Sequence, residues 1–377
     1  MAILAYHPFK GLYALAAIGF ELARLPLFIV KYLTSYGRQH PEWSFRQALG
    51  VRLFFSFVYH AGTVQLPTPL PLTPGKEKER WVTFKPAKDE LYKGPLRSNP
   101  DVNPAEIGGT WYPAPLTQGS DKSNIRVILH VHGGAFVIAD GRTANSGSFA
   151  KRLLQHATAT HVFCPQYRLS TLPASKTSNA FPAAIQDSLS AYLFLINDLK
   201  ISPKDIVLSG DSAGGNAIIA LLRYLEEYGA ELGIPNPAAA LLWSPWIDPS
   251  DMSGSYTHDN PNYNTDYLNT PLTHWGTLAY AGLPGVKAIQ QPYVNTKLKP
   301  FKAGVPLWVN ACGAEMLCDQ IVEWYEKAKE VGNDVELHVE KIAPHDILLI
   351  ADDMGFQKEG DNSATKAGEW LRSKIGE

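Results

Sequence analysis

A chain of 377 residues with 45% hydrophobic content can bury a sizeable core, and that size suits one large domain with insertions. The formal net charge of −2 leaves no basic surface for nucleic acid. There is no long repeat, low-complexity tract, Walker-type lysine loop or H-E-x-x-H spacing, which excludes solenoid, P-loop and zincin classes.

In chain order, the first element is apolar over residues 11–20, then interrupted by Glu21, Arg24 and Lys31, with Pro26 expected to kink any helix there. A clean span of about 20 apolar residues is missing, which argues against a single-pass anchor. The three charges fall near one helical face and leave a broad apolar face, whose uses are a cap over a site or association with a membrane surface. No small-residue cleavage site follows, which argues against a secretory signal. A second helix is predicted from Ser44, where Ser44-x-x-Gln47 spells a capping box, through Val51, Leu53, Phe54, Phe55 and Val58. The proline-rich stretch 66–75 reads as a stiff connection, so residues 1–95 are expected to form the N-terminal segment and linker and 96–377 the main body.

The run Ile125-Arg126-Val127-Ile128-Leu129-His130-Val131 reads as a buried strand that delivers His132-Gly133-Gly134-Ala135. Adjacent glycines let backbone N–H groups converge on a cleft. Farther on, Ile206-Val207-Leu208 leads into Gly210-Asp211-Ser212-Ala213-Gly214, after which Ile218, Ile219, Leu221, Leu222 and Leu225 recur at helical spacing. Strand, tight turn and helix in this order spell a nucleophile elbow, in which small neighbours expose the serine hydroxyl on a strained backbone. A serine hydroxyl is a poor nucleophile near neutral pH and needs a base, a group to orient that base, and donors for a developing oxyanion. Gly133, Gly134, Ala135 and Ala213 are the candidate donors.

His-Gly-Gly-Ala followed by Gly-Asp-Ser-Ala-Gly-Gly resembles the hormone-sensitive-lipase-like branch of the α/β-hydrolases, of the fungal-type esterases in particular. Gln166-Tyr167-Arg168-Leu169, Phe181-Pro182-Ala183-Ala184 and Asp187 resemble signatures that this branch carries before its elbow. Ala135 departs from the usual third glycine, and alanine tolerates positive φ poorly. The resemblance implies an α/β-hydrolase fold, a mostly parallel sheet flanked by helices. It also implies a helical cap built from the N-terminal segment and from an insertion at about 246–300.

That insertion carries Trp246, Tyr256, Tyr263, Tyr267, Trp275, Tyr280 and Tyr293, residues suited either to lining an apolar pocket or to packing the cap itself. The chain order serine, acid, histidine places the acid after the strand beginning at Pro306. Glu315 matches the family's acid position, where aspartate is usual. Asp319 is the alternative acid, and its other expected role is capping the helix near Gln320. His345, in Pro344-His345-Asp346 after the strand 335–339, is the candidate base, whereas His132 is expected to brace the oxyanion loop. Three cysteines, Cys164, Cys312 and Cys318, make no paired framework and no glycosylation sequon occurs, which points to an intracellular setting. Together these features imply a serine carboxylester hydrolase acting on a lipophilic ester, with no metal or organic cofactor. An acyltransferase or cyclising enzyme of specialised metabolism, an amidase, and a ligand receptor on the same fold remain alternatives.

Overall fold

The computed structural model describes residues 2–252 and 256–376. Eight strands form one sheet: β1 (Trp81–Phe84), β2 (Ile107–Tyr112), β3 (Val127–Val131), β4 (His161–Gln166), β5 (Ile206–Asp211), β6 (Ala239–Trp243), β7 (Leu307–Cys312) and β8 (Val335–Glu340). Their order is β1-β2-β4-β3-β5-β6-β7-β8, antiparallel at β1/β2 and β2/β4 and parallel throughout the rest. Strands β3, β5, β6 and β7 are buried at every position and read as continuous apolar runs, as strands covered on both faces must. The edge strand β8 is only half buried, with Glu336 and Val339 exposed. The sheet begins at Trp81, inside the segment expected to be N-terminal linker, because Trp81 to Phe84 pair with Ile107 to Thr110.

Two helical layers cover the sheet. On one side α3 (Thr143–His156) packs against the last helix, Gln357–Ile375; α4 (Ala183–Leu193) packs against α5 (Ser212–Tyr224). The N-terminal pair, α1 (Phe9–Leu33) and α2 (Phe45–Thr63), lies outside these layers. Ser44 caps α2 through the Gln47 N–H while the Gln47 side chain accepts from the Ser44 N–H, the reciprocal box that the spacing predicts.

Pro26 does not break α1, which runs unbroken past it. The proline is exposed, so the ring and the missing hydrogen bond fall on the outer side of the helix. α2 is pinned to the body at both ends. Near its start Trp43 is buried, donates its indole N–H to the Ile342 carbonyl (2.7 Å) and packs edge-on against Phe356. Near its end Gly62 meets the helix Thr270–Ala281 so closely that a Cβ there would lie 2.6 Å from the Leu272 nitrogen. These two helices, one from each of the expected cap segments, therefore pack directly on one another.

Candidate active site

Strand β5 ends at Asp211 and α5 begins at Ser212, whose φ of 49° is the left-handed conformation an elbow requires. The glycines on either side are steric necessities. A Cβ on Gly210 would lie 2.4 Å from the Gly214 carbonyl oxygen, and one on Gly214 would lie 2.0 Å from that of Val131. The next strand pair places the other candidates at the same carboxyl edge of the sheet. Glu315 follows β7 and His345 follows β8.

His345 Nδ1 lies 2.6 Å from Glu315 Oε2, and both side chains are buried. The other oxygen of Glu315 accepts from the Cys312 N–H (2.6 Å) and the Ser244 hydroxyl (3.1 Å), so both oxygens of the carboxylate are held. Burial opposes a charge on the His345 ring, but the hydrogen bond and charge of Glu315 outweigh it and hold the imidazole above its usual range. His345 Nε2 is buried without a partner among the described residues. It belongs to the same cavity of about 350 Å³ that Ser212 lines. Asp319 stands apart from this arrangement. It is exposed at the second position of the helix Cys318–Glu330, whose N-cap is Leu317 with no side-chain cap, so the expected capping role is corrected too. A carboxylate in the first turn still favours the helix dipole.

The oxyanion loop differs from expectation at one donor. Asp211 reaches across from the end of β5 and its Oδ2 takes the Gly133 N–H (2.9 Å), which withdraws Gly133 from the four expected donors. Gly134 (φ 93°) and Ala135 (φ 52°) turn through positive φ, and their N–H groups meet no acceptor among the described residues. The N–H of Ala213, second in α5, has no intrahelical partner by position. Ala135 does adopt the conformation that alanine resists, and neighbouring packing enforces it. Gly276 of the helix Thr270–Ala281 comes so close that a Cβ there would be 2.5 Å from the Ala135 oxygen. His132 hydrogen-bonds the Gly133 carbonyl through Nδ1 (2.8 Å) and stacks on Tyr167 at 4.2 Å, with the Tyr167 hydroxyl donating to the His132 and Gly133 carbonyls. Burial keeps the His132 ring below its usual pKa, in line with a neutral brace.

Several positioning residues escaped the sequence reading. Asp266, in the cap insertion, is buried and accepts from the Met316, Tyr267 and His345 N–H groups at 2.7, 2.7 and 3.3 Å. It thereby ties the acid loop to the base loop. Burial pushes its carboxyl up to about 6. Asn262 donates to the Gly313 and Glu315 carbonyls, and the Thr265 hydroxyl to that of Ala314. The only advance signal in the sequence is the asparagine-rich run 260–269, which holds Asn260, Asn262, Asn264 and Asn269. Of the aromatic residues expected in the cap, Trp246, Tyr256 and Tyr267 line the cavity. Tyr280 instead stacks on Phe136, and Tyr293 bonds Glu227.

Asp346, directly after His345, faces Asp211 in hydrogen-bond contact, and its Oδ1 is buried with no donor among the described residues. Two carboxylates cannot face one another in a dry site with both charged. Burial and the Asp211 charge hold Asp346 well above the usual carboxyl range, while the hydrogen bond and charge of His130 overcome burial and keep Asp211 below it. Asp346 is thus the proton carrier. A raised pKa means that the folded protein keeps a proton that the unfolded chain releases above about pH 4. Wild-type stability therefore falls by up to about 1.4 kcal/mol per pH unit from there until the folded group ionises. Asp346→Asn supplies a permanent donor and removes this slope. Its melting temperature relative to wild type is expected to climb as pH rises above about 5, and parallel melting profiles would show that Asp346 does not hold the proton.

Comparison with known proteins places the fold. A family model described as the alpha/beta hydrolase fold matches residues 128–349. An acetyl-hydrolase of Streptomyces hygroscopicus is 32% identical over 132 residues, which are 35% of this chain and 40% of that enzyme. The esterase LipU of Mycobacterium tuberculosis is 27% identical over 256 residues, 67% of this chain and 79% of that protein. A crystal structure of an esterase from the bacterial hormone-sensitive lipase family superposes with a TM-score of 0.59 at 24% identity, covering 94% of this chain and 99% of that one, a likeness of fold.

Proposed function

Because the chain belongs to the α/β-hydrolase family and carries the motifs of its hormone-sensitive-lipase-like branch, we propose that it is a serine carboxylester hydrolase acting on lipophilic acyl or acetyl esters. The observation that carries this reading is the 2.6 Å contact of His345 with Glu315, on a cavity that also holds Ser212 on its left-handed turn. In this reading Ser212 Oγ attacks the ester carbonyl as His345 Nε2 takes its proton. The negative charge then falls on the carbonyl oxygen, within reach of the N–H groups of Gly134, Ala135 and Ala213. Collapse of the tetrahedral adduct breaks the bond to the alcohol, which leaves with the proton from Nε2. Water, deprotonated by the same nitrogen, resolves the acyl-enzyme. The unpartnered Nε2 is free for each transfer.

The lining of the cavity supports the substrate class. Phe54, Val58, Leu268 and Leu272 furnish apolar walls, and the polar groups gather at the elbow. The unpaired thiols of Cys164, Cys312 and Cys318 support an intracellular setting.

The test is labelling by a fluorophosphonate with peptide mapping, alongside hydrolysis of p-nitrophenyl acetate, butyrate, octanoate and decanoate. Ser212 is expected to carry the label and a chain-length optimum to appear. Because the base must be neutral, kcat/KM should rise with pH through a midpoint above the 6.5 of a free imidazole. Labelling elsewhere, or none in the folded protein, would sink the reading.

A further inference from the structure

Helix α1 is built inside out. Its polar side chains turn toward the protein: Lys10 Nζ donates to the Gln65 carbonyl (3.3 Å) and the Tyr13 hydroxyl meets His60 Nδ1 (2.8 Å). Glu21 gathers Arg24, His60 and Arg52 within 3.4, 3.4 and 3.8 Å. At about 100° per residue these positions share one side of the helix, together with the buried Ala17 and Tyr32. The opposite side is apolar and bare. Leu15, Leu27 and Val30 are 71, 69 and 69% exposed, and Leu12, Ile18, Phe20 and Leu22 stand out beside them. Around the helix these residues sweep about 200° of arc. A helix bathed in water turns its charges outward; this one bonds Lys10 and Glu21 to the body, pairs Arg24 with Glu21 and leaves only Lys31 without an ion pair or hydrogen bond among the described residues.

Most of the large apolar side chains exposed among the described residues precede residue 73, so they concentrate at this end of the chain. Two of them, Phe57 of α2 and Leu66, also line the cavity of Ser212 and His345. The entrance to the site therefore carries exposed apolar side chains of its own. At the carboxyl end of α1, Lys31 and the fully exposed Tyr36 stand where side chains with an apolar stem and a polar tip suit a water–lipid boundary.

We propose that α1 seats the protein on a lipid bilayer, lying in the plane of its surface, and that lipophilic esters pass from the lipid over Phe57 and Leu66 into the cavity. A protein partner would cover one stripe of such a helix, on the order of 100° wide, and leave the rest wet; fluid acyl chains cover the whole arc. At about 37 Å the helix is long and apolar enough to cross the ~30 Å hydrocarbon layer, contrary to the expectation that such a span is missing. Its inward bonds run from Lys10, on Gln65 just past α2, to Glu21, on Arg52 and His60 of α2, however, and clamp it flat on a helix that also walls the cavity. The seat on lipid stands on this geometry alone, whereas the delivery of substrate rests on the esterase reading.

The experiment is flotation of the full chain with phosphatidylcholine vesicles, beside the triple variant Leu15→Glu, Leu22→Glu, Leu27→Glu. Wild type is expected to float with the vesicles, and the variant to partition at least about a hundredfold less. Both should turn over soluble p-nitrophenyl acetate at the same rate, while only wild type hydrolyses a long-chain ester held in the vesicles. A second variant, Leu22→Trp, guards against misfolding of the first: its added fluorescence should be quenched by brominated acyl chains. Wild type that stays in the aqueous phase, as a monomer or as a dimer that hides Leu15 and Leu27, overturns the proposal. Protein whose residues before α1 are shielded from protease inside sealed vesicles also overturns it, because the helix then spans. Vesicle binding without any ester turnover leaves the lipid seat standing and sinks the esterase reading instead.

Discussion

Ser212→Ala is expected to lower kcat for p-nitrophenyl esters by about 10⁴- to 10⁶-fold and to abolish fluorophosphonate labelling, with little change in stability. The size follows from the architecture of the elbow. Once the hydroxyl is gone, the remaining groups can still bind the ester and polarise its carbonyl through Gly134, Ala135 and Ala213. That residual catalysis over water sets the floor. The fold should tolerate the change, since the wild-type serine already occupies the left-handed region at φ 49° and alanine meets a similar backbone cost there. The methyl group also fits a site whose tight contacts belong to Gly210 and Gly214 rather than to the side chain. Melting temperature and circular dichroism run beside the kinetics separate loss of the nucleophile from loss of the fold. A variant that is folded and still turns over esters at the wild-type rate would remove Ser212 from the mechanism.

What could be read from the chain beforehand divides along a physical line. The elbow was legible because its parts are contiguous: an apolar run, two glycines around a serine and a change of period within twenty residues leave few other conformations open. The positions of Glu315 and His345 were readable from the family resemblance together with order along the chain, because each follows a strand whose pattern is itself readable. The connections between loops were not. Asp266 reaches the Met316 and His345 N–H groups across 50 and 79 residues of sequence, and nothing in its neighbours announces a buried carboxylate. Asp211 was visible only as part of the elbow, so its capture of the Gly133 N–H, 78 residues away, came as a correction. Sequence propensity misjudged Pro26 for a related reason. The proline falls on the exposed face of α1, where the Leu22 carbonyl that it leaves without a donor can turn toward solvent, so the helix persists. The polarity of α1 was half legible. Periodicity places the charges near one face, but only the bonds from Glu21 to Arg52 and His60 reveal that this face points inward.

Glu315→Gln is expected to cost about 10³- to 10⁴-fold in kcat, far more than a change that preserves shape should, because of how its neighbours fix the amide. The Cys312 N–H and the Ser244 hydroxyl both donate to Oε1, so the oxygen of the new amide must stay on that side. Its NH₂ group then faces His345 Nδ1 where Oε2 stood at 2.6 Å. An amide donor there can only meet a bare Nδ1, which moves the ring proton to Nε2 and leaves no lone pair to accept the proton of Ser212. The pH profile should move as well. The hydrogen bond and charge of Glu315 are what lift His345 against burial, and with both gone the acidic limb of kcat/KM shifts to lower pH even as the plateau collapses. Asp319→Asn is the matching control. Its carboxylate is exposed on the helix Cys318–Glu330, so activity should stay within about twofold of wild type, the variation expected of a surface position. The reverse pattern, with Asp319→Asn inactive and Glu315→Gln intact across the pH range, would hand the role of the acid to Asp319 and require the two loops to rearrange.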